Sequence, residues 1–233
     1  MSINIILPSY KEAENLTELL PIIKKAVSNI GQPYEILIID TMIKTDNTDE
    51  ICKKNNCTYI NRENGNNYGD AIRTGINKAS NKYTVVMDAD GSHNPNDIIR
   101  FYAEIEKGYD LIIGSRYIHG GNSHNGVILK FMSYVLNMTY RFFFGIKVKD
   151  VSNSFRMYKT EQLKALSLEC NNFDIVEEII IKLLNKNTNF RILEIPVFFD
   201  QRMYGESKRN LVKFIFSYIA TIKRLMKARN EKE

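Results

Sequence analysis

The chain alternates short apolar runs with longer segments in which apolar residues recur at helical spacing. The short runs end at polar or glycine residues, as buried parallel strands do. They are Ile3–Leu7, Tyr34–Asp40, Cys57–Ile60, Tyr83–Asp88 and Leu111–Ser115. Strands that alternate with helices predict βαβ units, and therefore an α/β fold built on a parallel sheet.

Two helix starts can be placed between these strands. The spacing of Asn15 and Glu18 is that of a capping box, which predicts a helix reaching about Ile30. Pro95 suits the first turn of a second helix that runs to Lys107, because the first turn leaves its N–H groups unpaired and proline has none.

The pattern changes after Arg116, because Val127 to Phe144 is apolar on almost every side. Polar interruptions such as Lys130 make this segment too polar to span a bilayer comfortably. A soluble helix usually keeps one polar face. Two interpretations therefore stay open: the helix is packed deep in the core, or it lies partly in a lipid interface.

The end of the chain predicts a basic amphipathic helix. Apolar residues lie along one side of Asn210–Arg229, and from Arg202 to Glu233 nine Lys or Arg stand against three Glu. Such a helix either covers its own domain or lies flat on an anionic membrane. Nucleic acid is not favoured as a partner, because the basic residues interleave with a long apolar face and no recognition module is present.

Composition favours one main domain. The chain has 233 residues and 44% hydrophobic content, enough for a full core. We assign residues 1–209 to that domain and residues 210–233 to the basic helix and tail. The first residues predict a strand and not a signal peptide, so a cytoplasmic location is expected.

Acidic residues follow two of the predicted strands. Asp40 follows the second strand, and Asp88 and Asp90 follow the fourth. Ligands of an open parallel sheet bind beyond the carboxyl ends of its strands, and such a carboxylate pair can hold Mg²⁺ or Mn²⁺ with nucleotide phosphates. An Asp-x-Asp triplet alone is more often a turn, so the strand-end position is what favours a metal site. His93, just beyond, is expected to be a loop or packing residue.

The loop of residues 64–71 contains glycine and asparagine before a predicted helix. Such a loop lets the backbone approach a ligand closely, and the N–H groups of the helix can then face phosphate. A plain connecting loop has the same composition, so the pattern is a weak indication.

Six motifs, in order along the chain, resemble the inverting family 2 glycosyltransferases, and most of them resemble its dolichyl-phosphate mannosyltransferase branch. They are PSYKEAEN at residues 8–15, DADGSHNP at 88–95, GSRY at 114–117 followed by Gly120 and Gly121, DVSNSFR at 150–156, EIPV at 194–197, and Arg202 with GESK at 205–208. Together they cover residues 3 to about 208.

The resemblance implies a GT-A fold, with a Rossmann-like, mostly parallel sheet flanked by helices. It implies transfer of a hexose, with mannose or glucose favoured, from a GDP-mannose or UDP-glucose type donor to a polyprenyl phosphate, with inversion and with Mg²⁺ or Mn²⁺. The acceptor phosphate is already anionic near neutral pH, so no general base is required. The protein would be peripheral at the cytoplasmic face of a membrane, docked directly on the membrane surface or through an integral membrane partner.

Carried over residue by residue, the resemblance assigns three groups of side chains. The metal ligands are Asp88 and Asp90, and the catalytic residues are Asp90, Arg116 and Arg202. The acceptor phosphate is met by Arg116, Lys130, Ser133 and Arg202. The nucleotide-sugar is bound by Pro8, Tyr10, Glu12, Asp40, Asp70, Asp88, Ala89, Asp90 and Lys208, the last from a loop that closes over the site.

The sequence departs from the family pattern at three places. Thr41 and Met42 follow Asp40 where the family usually has a second Asp and then Gly. Ser92 stands where relatives carry Gln, and Ser154 replaces a glycine. These changes bear on donor preference and metal binding, and they leave both central carboxylates in place.

Two other functions remain as alternatives. Transfer to a cell-surface polysaccharide needs an acidic general base, for which Glu177 and Glu178 are candidates, although two glutamates on a helix are more often surface charge. A non-catalytic nucleotide-sugar-binding subunit is compatible with the altered residues after Asp40. The intact Asp88 and Asp90 argue against it.

Overall fold

In the computed structural model, which describes residues 2–205 and 218–226, strands and helices alternate through the first half of the chain. The helices are α1 (Ala13–Ser28), α2 (Thr48–Lys54), α3 (Tyr68–Lys78), α4 (Asp97–Ile105), α5 (Val127–Phe144), α6 (Thr160–Lys164) and α7 (Ile175–Lys186). The strands are β1 (Ile3–Pro8), β2 (Tyr34–Asp40), β3 (Thr58–Asn61), β4 (Tyr83–Val86), β5 (Leu111–Ser115), β6 (Asn122–Ser123), β7 (Arg156–Lys159), β8 (Ile192–Pro196) and β9 (Phe198–Phe199). All five strands predicted from the apolar runs are confirmed, two with the predicted bounds and three with ends shifted by one or two residues.

Seven strands form one sheet in the order β3-β2-β1-β4-β7-β5-β8, and β6 pairs with β9 in a separate ribbon. All pairs in the large sheet are parallel except those of β7, which is antiparallel to β4 and β5. The sequence predicted a parallel sheet and did not reveal this reversal. Arg116, just after β5, bonds to Asp150, so the segment before β7 still lies at the carboxyl edge and the next strand must run back.

The sheet is buried on both faces, as expected for parallel strands covered by helices. Neighbouring residues of β1 belong to different cores: Ile5 packs with α1, α2 and α4, whereas Ile6 packs with α3 and α7. The confirmed α/β architecture therefore brings the carboxyl ends of β1, β2 and β4 together at one edge.

Helix α1 begins earlier than its predicted cap. Ala13 is the first helical residue, and its N–H donates to Asp46 Oδ2 at 3.1 Å, so the cap comes from a distant loop. Asn15 lies inside the helix and donates to Glu12 Oε2 at 2.5 Å. The capping box predicted at Asn15 and Glu18 is therefore wrong, because a tertiary contact supplies the cap.

Helix α5 has the predicted bounds, but the core interpretation of this segment is wrong. Of its residues only Asn137 and Tyr140 are buried. Val127 is 85% exposed, Phe131 66% and Phe142 82%, so a broad apolar surface faces outward. No helix in the described ranges is both long and apolar enough to pass through a bilayer.

Residues 218–226 are helical and pack against the main domain. Tyr218 and Leu225 join the core beside α7, and the Thr221 hydroxyl donates to Asp174. Arg224 donates to Cys170 Sγ at 2.6 Å. This stretch of the predicted basic helix therefore covers its own domain. Lys208 and the rest of residues 210–233 lie outside the described residues.

Glu177 and Glu178, which were candidates for a general base and otherwise expected to be surface charges, are both fully buried. Glu178 accepts hydrogen bonds from the N–H groups of Glu169 and Cys170 and pairs with Lys182 at 2.8 Å. Burial opposes its charged form, but these partners outweigh burial and lower the pKa of Glu178. Burial raises the pKa of Glu177 to about 8, against the opposing charge of Arg156.

We expect the Glu177→Gln variant to gain stability over the wild type as pH rises. The folded-state pKa of Glu177, about 8, lies above the ordinary value of 4.5, so the folded protein keeps a proton that the unfolded chain loses. The wild type is therefore penalised progressively between these two pH values, by a few kcal/mol at the upper end. Urea denaturation at pH 5 and pH 8.5 measures the difference.

Glu178→Gln on the same helix is the matched control, because the pKa of Glu178 is shifted the other way. Its stabilising charge is present above the ordinary pKa of a glutamate and is lost as pH falls through the lowered value. The Gln variant should therefore be less stable than the wild type at neutral pH, and the loss should shrink in acid. A pH-independent effect of Glu177→Gln would contradict the assignment.

Candidate functional site

Two cavities of about 580 and 570 Å³ open at the carboxyl edge of the sheet. The first lies over the ends of β1 and β2. The second lies between α5, the segment before β7 and the segment after β9. Four residues line both cavities: Asp88, Asp90, Phe173 and Arg202. A ligand in one cavity therefore meets a ligand in the other at the two aspartates.

Asp88 and Asp90 follow β4, as the sequence predicted, and each is held by a hydroxyl group. Ser154 Oγ donates to Asp88 Oδ1 at 3.1 Å, and Ser92 Oγ donates to Asp90 Oδ1 at 2.6 Å. The part of the chain that the structure describes contains no group of three His, Cys, Asp or Glu able to hold a metal. Two carboxylates at a cavity mouth fit a hard cation that takes its other ligands from phosphate and water.

The acidic loop is joined to the segment that carries Arg202. Met203 N–H donates to Asp90 O, and Asp200 N–H donates to Ser92 O, both at 2.9 Å. Gly91 has φ +83°, and a Cβ there would lie 2.6 Å from the Met203 side chain. Glycine suits this position, because any other residue would be strained by the left-handed backbone and would have to displace the Met203 side chain.

His93 is a packing residue, as expected, and it also supports the acidic loop. Its Nδ1 accepts the N–H of Asp88 at 3.1 Å, and its ring stacks on Phe155. With Nδ1 accepting, the Nε2–H donates to Asn153 Oδ1 at 3.2 Å, which fixes the neutral tautomer. His93 therefore holds the backbone of Asp88 without reaching either cavity.

Arg116 lines the second cavity but is already paired. Its guanidinium donates to both oxygens of Asp150 at 2.8 Å, and to Ser152 Oγ at 3.0 Å. Burial opposes the charged form of Arg116, yet the ion pair with Asp150 outweighs it and raises the pKa of Arg116. Asp150 was missed as a site residue, although it opens the DVSNSFR motif. Arg116 is therefore fixed at the cavity wall, and Asp150 balances its charge.

Arg202 also meets a carboxylate. Its Nη2 donates to Glu12 Oε1 at 2.7 Å and to Glu12 Oε2 at 2.6 Å. Both residues line the first cavity, and Arg202 lines the second as well. The pair therefore links the two cavities across the aspartates.

The structure places the other predicted donor residues in two groups. Pro8, Tyr10 and Ala89 line the first cavity. Asp40 is fully buried behind it, accepts the Tyr59 hydroxyl at 3.1 Å, and burial raises its pKa. Thr41, one of the departures from the family pattern, lines the cavity in its place.

Asp70 does not line either cavity. Its Oδ2 accepts the N–H of Asn67 at 2.9 Å and its Oδ1 accepts Arg73 at 2.6 Å, so it caps α3. The N–H of Gly69 donates to Asn171 O at 2.8 Å. Several N–H groups of the loop that was predicted to bind phosphate therefore already donate to other protein atoms.

Arg62 is a residue of the first cavity that the sequence did not reveal. It is buried and donates to the carbonyl oxygens of Ser9, Asn66 and Asn67. It therefore ties the loop after β1 to the loop before α3. The one available signal was an arginine directly after a strand, which is too common to single out.

The two remaining residues predicted to contact the acceptor phosphate, Ser133 and Lys130, lie in different places. Ser133 lines the second cavity, accepts Arg116 Nη2 at 3.4 Å and lies 3.1 Å from Ser152 Oγ. Lys130 is exposed on α5 and lines neither cavity. Leu129, Met132 and Leu136 of α5 also line the second cavity, so one wall is apolar and another carries Arg116.

Comparison with known proteins identifies relatives along most of the chain. A dolichol-phosphate mannosyltransferase from Pyrococcus furiosus is 33% identical over 238 residues, which cover 99% of this chain and 65% of that protein. This chain thus spans less than two thirds of that relative's length. A polyprenol monophosphomannose synthase from Mycolicibacterium smegmatis is 29% identical over 221 residues, 88% of this chain and 79% of the relative.

Solved structures share the fold at lower identity. Glucosyl-3-phosphoglycerate synthase from Mycobacterium tuberculosis, in complex with Mn²⁺, UDP and glucosyl-3-phosphoglycerate, aligns with a TM-score of 0.75 and 16% identity, over 97% of this chain and 80% of that one. Its complex with Mg²⁺ and UDP gives 0.73 and 15%, over 97% and 79%. These similarities confirm the GT-A fold. The family described as glycosyl transferase family 2 matches residues 4–167, so the chain belongs to this family.

Proposed function

We propose that this protein transfers a hexose, with mannose or glucose favoured, from a GDP-mannose or UDP-glucose type donor to a polyprenyl phosphate, with inversion and with Mg²⁺ or Mn²⁺. The observation that carries the proposal is the meeting of the two cavities at Asp88 and Asp90. A donor in the first cavity presents its anomeric carbon to an acceptor in the second. The apolar wall from α5 suits a lipid chain, and the arginines of the second cavity suit its phosphate.

In this proposal Asp88 and Asp90 hold a divalent ion at the donor diphosphate. When bound, such an ion offsets the negative charge that develops on the departing diphosphate. The chain's own residues orient the reactants: Arg116, which Asp150 holds at the wall of the second cavity, contacts the acceptor phosphate. Arg202 can exchange Glu12 for phosphate, because Arg202 lies at the junction of the cavities and Glu12 lines the first one.

A phosphate acceptor needs no general base from Glu177 or Glu178. Glu177 and Glu178, the candidates for activating a sugar hydroxyl, line neither cavity and are fully buried. A phosphate monoester is anionic near neutral pH and attacks without giving up a proton. The polysaccharide alternative therefore lacks the base that it requires from this pair.

The names of the two relatives support the same class of acceptor, since one name refers to dolichol phosphate and the other to polyprenol monophosphomannose. We expect the purified protein to glycosylate a short-chain polyprenyl phosphate and not an oligosaccharide. The measurement is incorporation of radiolabelled mannose or glucose from the GDP- and UDP-sugars with manganese. Incorporation into oligosaccharide alone would refute the proposed acceptor.

We further propose that the exposed apolar face of α5 rests on the membrane that holds the acceptor. Replacing Phe131 and Phe142 with Asp should weaken binding to anionic vesicles by about tenfold or more, since each buried aromatic contributes roughly 1.5–3 kcal/mol. Neither residue lines a cavity, so transfer to a detergent-solubilised acceptor should persist. Vesicle co-sedimentation measures the effect.

Ile22→Asp is the control for this experiment. Ile22 is 39% exposed on α1, which packs on the opposite face of the sheet. It adds the same charge as either single substitution on α5, at a site away from α5. If the α5 variant and the Ile22 variant bound vesicles equally well, α5 would not be part of the docking surface.

A further inference from the structure

Each of the two aspartates at the junction of the cavities has one oxygen engaged and one oxygen open. Asp88 Oδ1 accepts Ser154 Oγ at 3.1 Å. Asp90 Oδ1 accepts Ser92 Oγ at 2.6 Å and Ser92 N–H at 3.0 Å. The Oδ2 atom of neither aspartate accepts a hydrogen bond from residues 2–205 or 218–226.

The two serine hydroxyls must act as donors. An ionised carboxylate only accepts hydrogen bonds, whereas a serine hydroxyl rotates to suit its partner. Each hydroxyl therefore fixes the rotation of one carboxylate group. Without such donors, two like charges two residues apart would turn away from each other.

Both serines are held by the scaffold and not by the aspartates alone. The carbonyl of Ser92 accepts the N–H of Asp200 at 2.9 Å, and the Ser92 side chain is buried. Ser154 follows Asn153, whose Nδ2 donates to Gly114 O at 2.6 Å. The donors are thus supplied by two segments, the acidic loop itself and the segment before β7.

We infer that Ser92 and Ser154 are positioning residues that hold the two aspartates so that their Oδ2 atoms face one cation. Partners of this kind orient metal ligands, and their loss typically weakens metal binding about 10–100-fold. The positions are those where the chain departs from the family pattern, so this arrangement is a property of this chain. The inference rests on the metal site of the proposed function and not on its acceptor.

The two serines should differ in effect. Ser154 Oγ is the donor to Asp88 among the described residues, whereas Asp90 keeps the N–H of residue 92 when the Ser92 hydroxyl is removed. Ser154→Val should therefore weaken manganese binding more than Ser92→Ala. Ser154→Thr has the same shape as Ser154→Val and keeps a hydroxyl, so it should restore affinity close to the wild type.

The test is a titration of the full chain with Mn²⁺, followed by the loss of the free-ion EPR signal, with UDP or GDP present. We expect about 10–100-fold weaker binding for Ser154→Val, near-normal binding for Ser154→Thr, and unchanged binding for Ser80→Ala, which alters an exposed serine. Thermal unfolding in EDTA should be alike for the Thr and Val variants, which separates metal positioning from folding.

Equal manganese affinity in Ser154→Val and Ser154→Thr would overturn the inference, and so would a wild type that binds no manganese. Transfer to polyprenyl phosphate is measured on the same preparations. If the two variants bind manganese equally and transfer to polyprenyl phosphate is normal, only the role of the serines is refuted. If Ser154→Val binds manganese more weakly and the protein transfers sugar to a different acceptor, the positioning role of the serines is supported and the proposed acceptor is refuted.

Discussion

Asp90→Asn should reduce sugar transfer by about a thousandfold or more with either donor. The change removes one negative charge at the junction of the cavities while the amide oxygen still accepts the Ser92 hydrogen bonds. A bound divalent ion contributes several kcal/mol of charge stabilisation to the departing diphosphate, and each 1.36 kcal/mol is tenfold in rate. Initial-rate assays across a range of manganese concentrations measure the loss.

Asp49→Asn is the control for loss of a carboxylate. Asp49 pairs with Lys44 on the surface and lines neither cavity. Its transfer rate should match the wild type. A tenfold loss of rate corresponds to an increase of about 1.4 kcal/mol in the activation free energy. If Asp90→Asn kept more than about a tenth of the wild-type rate, the metal-dependent mechanism would be refuted. Wild-type protein that releases no nucleoside diphosphate would instead favour the non-catalytic subunit.

The second large effect is on stability. Asp150→Ala should lower the free energy of unfolding by about 3–5 kcal/mol, because it leaves the buried charge of Arg116 without its partner. The Arg116 side chain is 9% exposed and that of Asp150 is fully buried. Urea denaturation at neutral pH is the measurement.

The pair Lys44–Asp49 provides a control at matched distance. Its closest approach is 2.8 Å, as for Arg116 and Asp150, but its side chains are 49% and 36% exposed. Asp49→Asn should change the free energy of unfolding far less than Asp150→Ala, because exposed pairs contribute little. If Asp150→Ala and Asp49→Asn lowered the free energy of unfolding by similar amounts, the charge of Arg116 would not be left buried without a partner when Asp150 is removed.

Where a residue's position depended on local sequence, the structure agrees with the prediction. Asp88 and Asp90 were found because an apolar run of strand type ends beside them, and strand ends of a parallel sheet meet at one edge. Arg116 and Ser133 came from the family resemblance, and both line the second cavity. The bounds of α5 followed from its apolar stretch.

Where a residue's environment depended on distant segments, the prediction failed or was incomplete. Glu177 and Glu178 lie on a helix that the sequence alone could not orient, so their burial was not foreseen. The start of α1 was displaced by Asp46, which is 33 residues away from Ala13. Asp40 has the strand-end position of a ligand-binding residue, yet it lies behind the cavity wall.

The sequence by itself determined the alternation of strands and helices, the acidic edge of the sheet and the family, because these depend on short-range pattern and motif order. Only the tertiary structure decided that β7 runs backward, that α5 is exposed, and that Arg116 pairs with Asp150. It also placed Ser92 and Ser154 on the two aspartates. Burial and ion pairing depend on which distant segments meet, and that information is not carried by the spacing of residues along the chain.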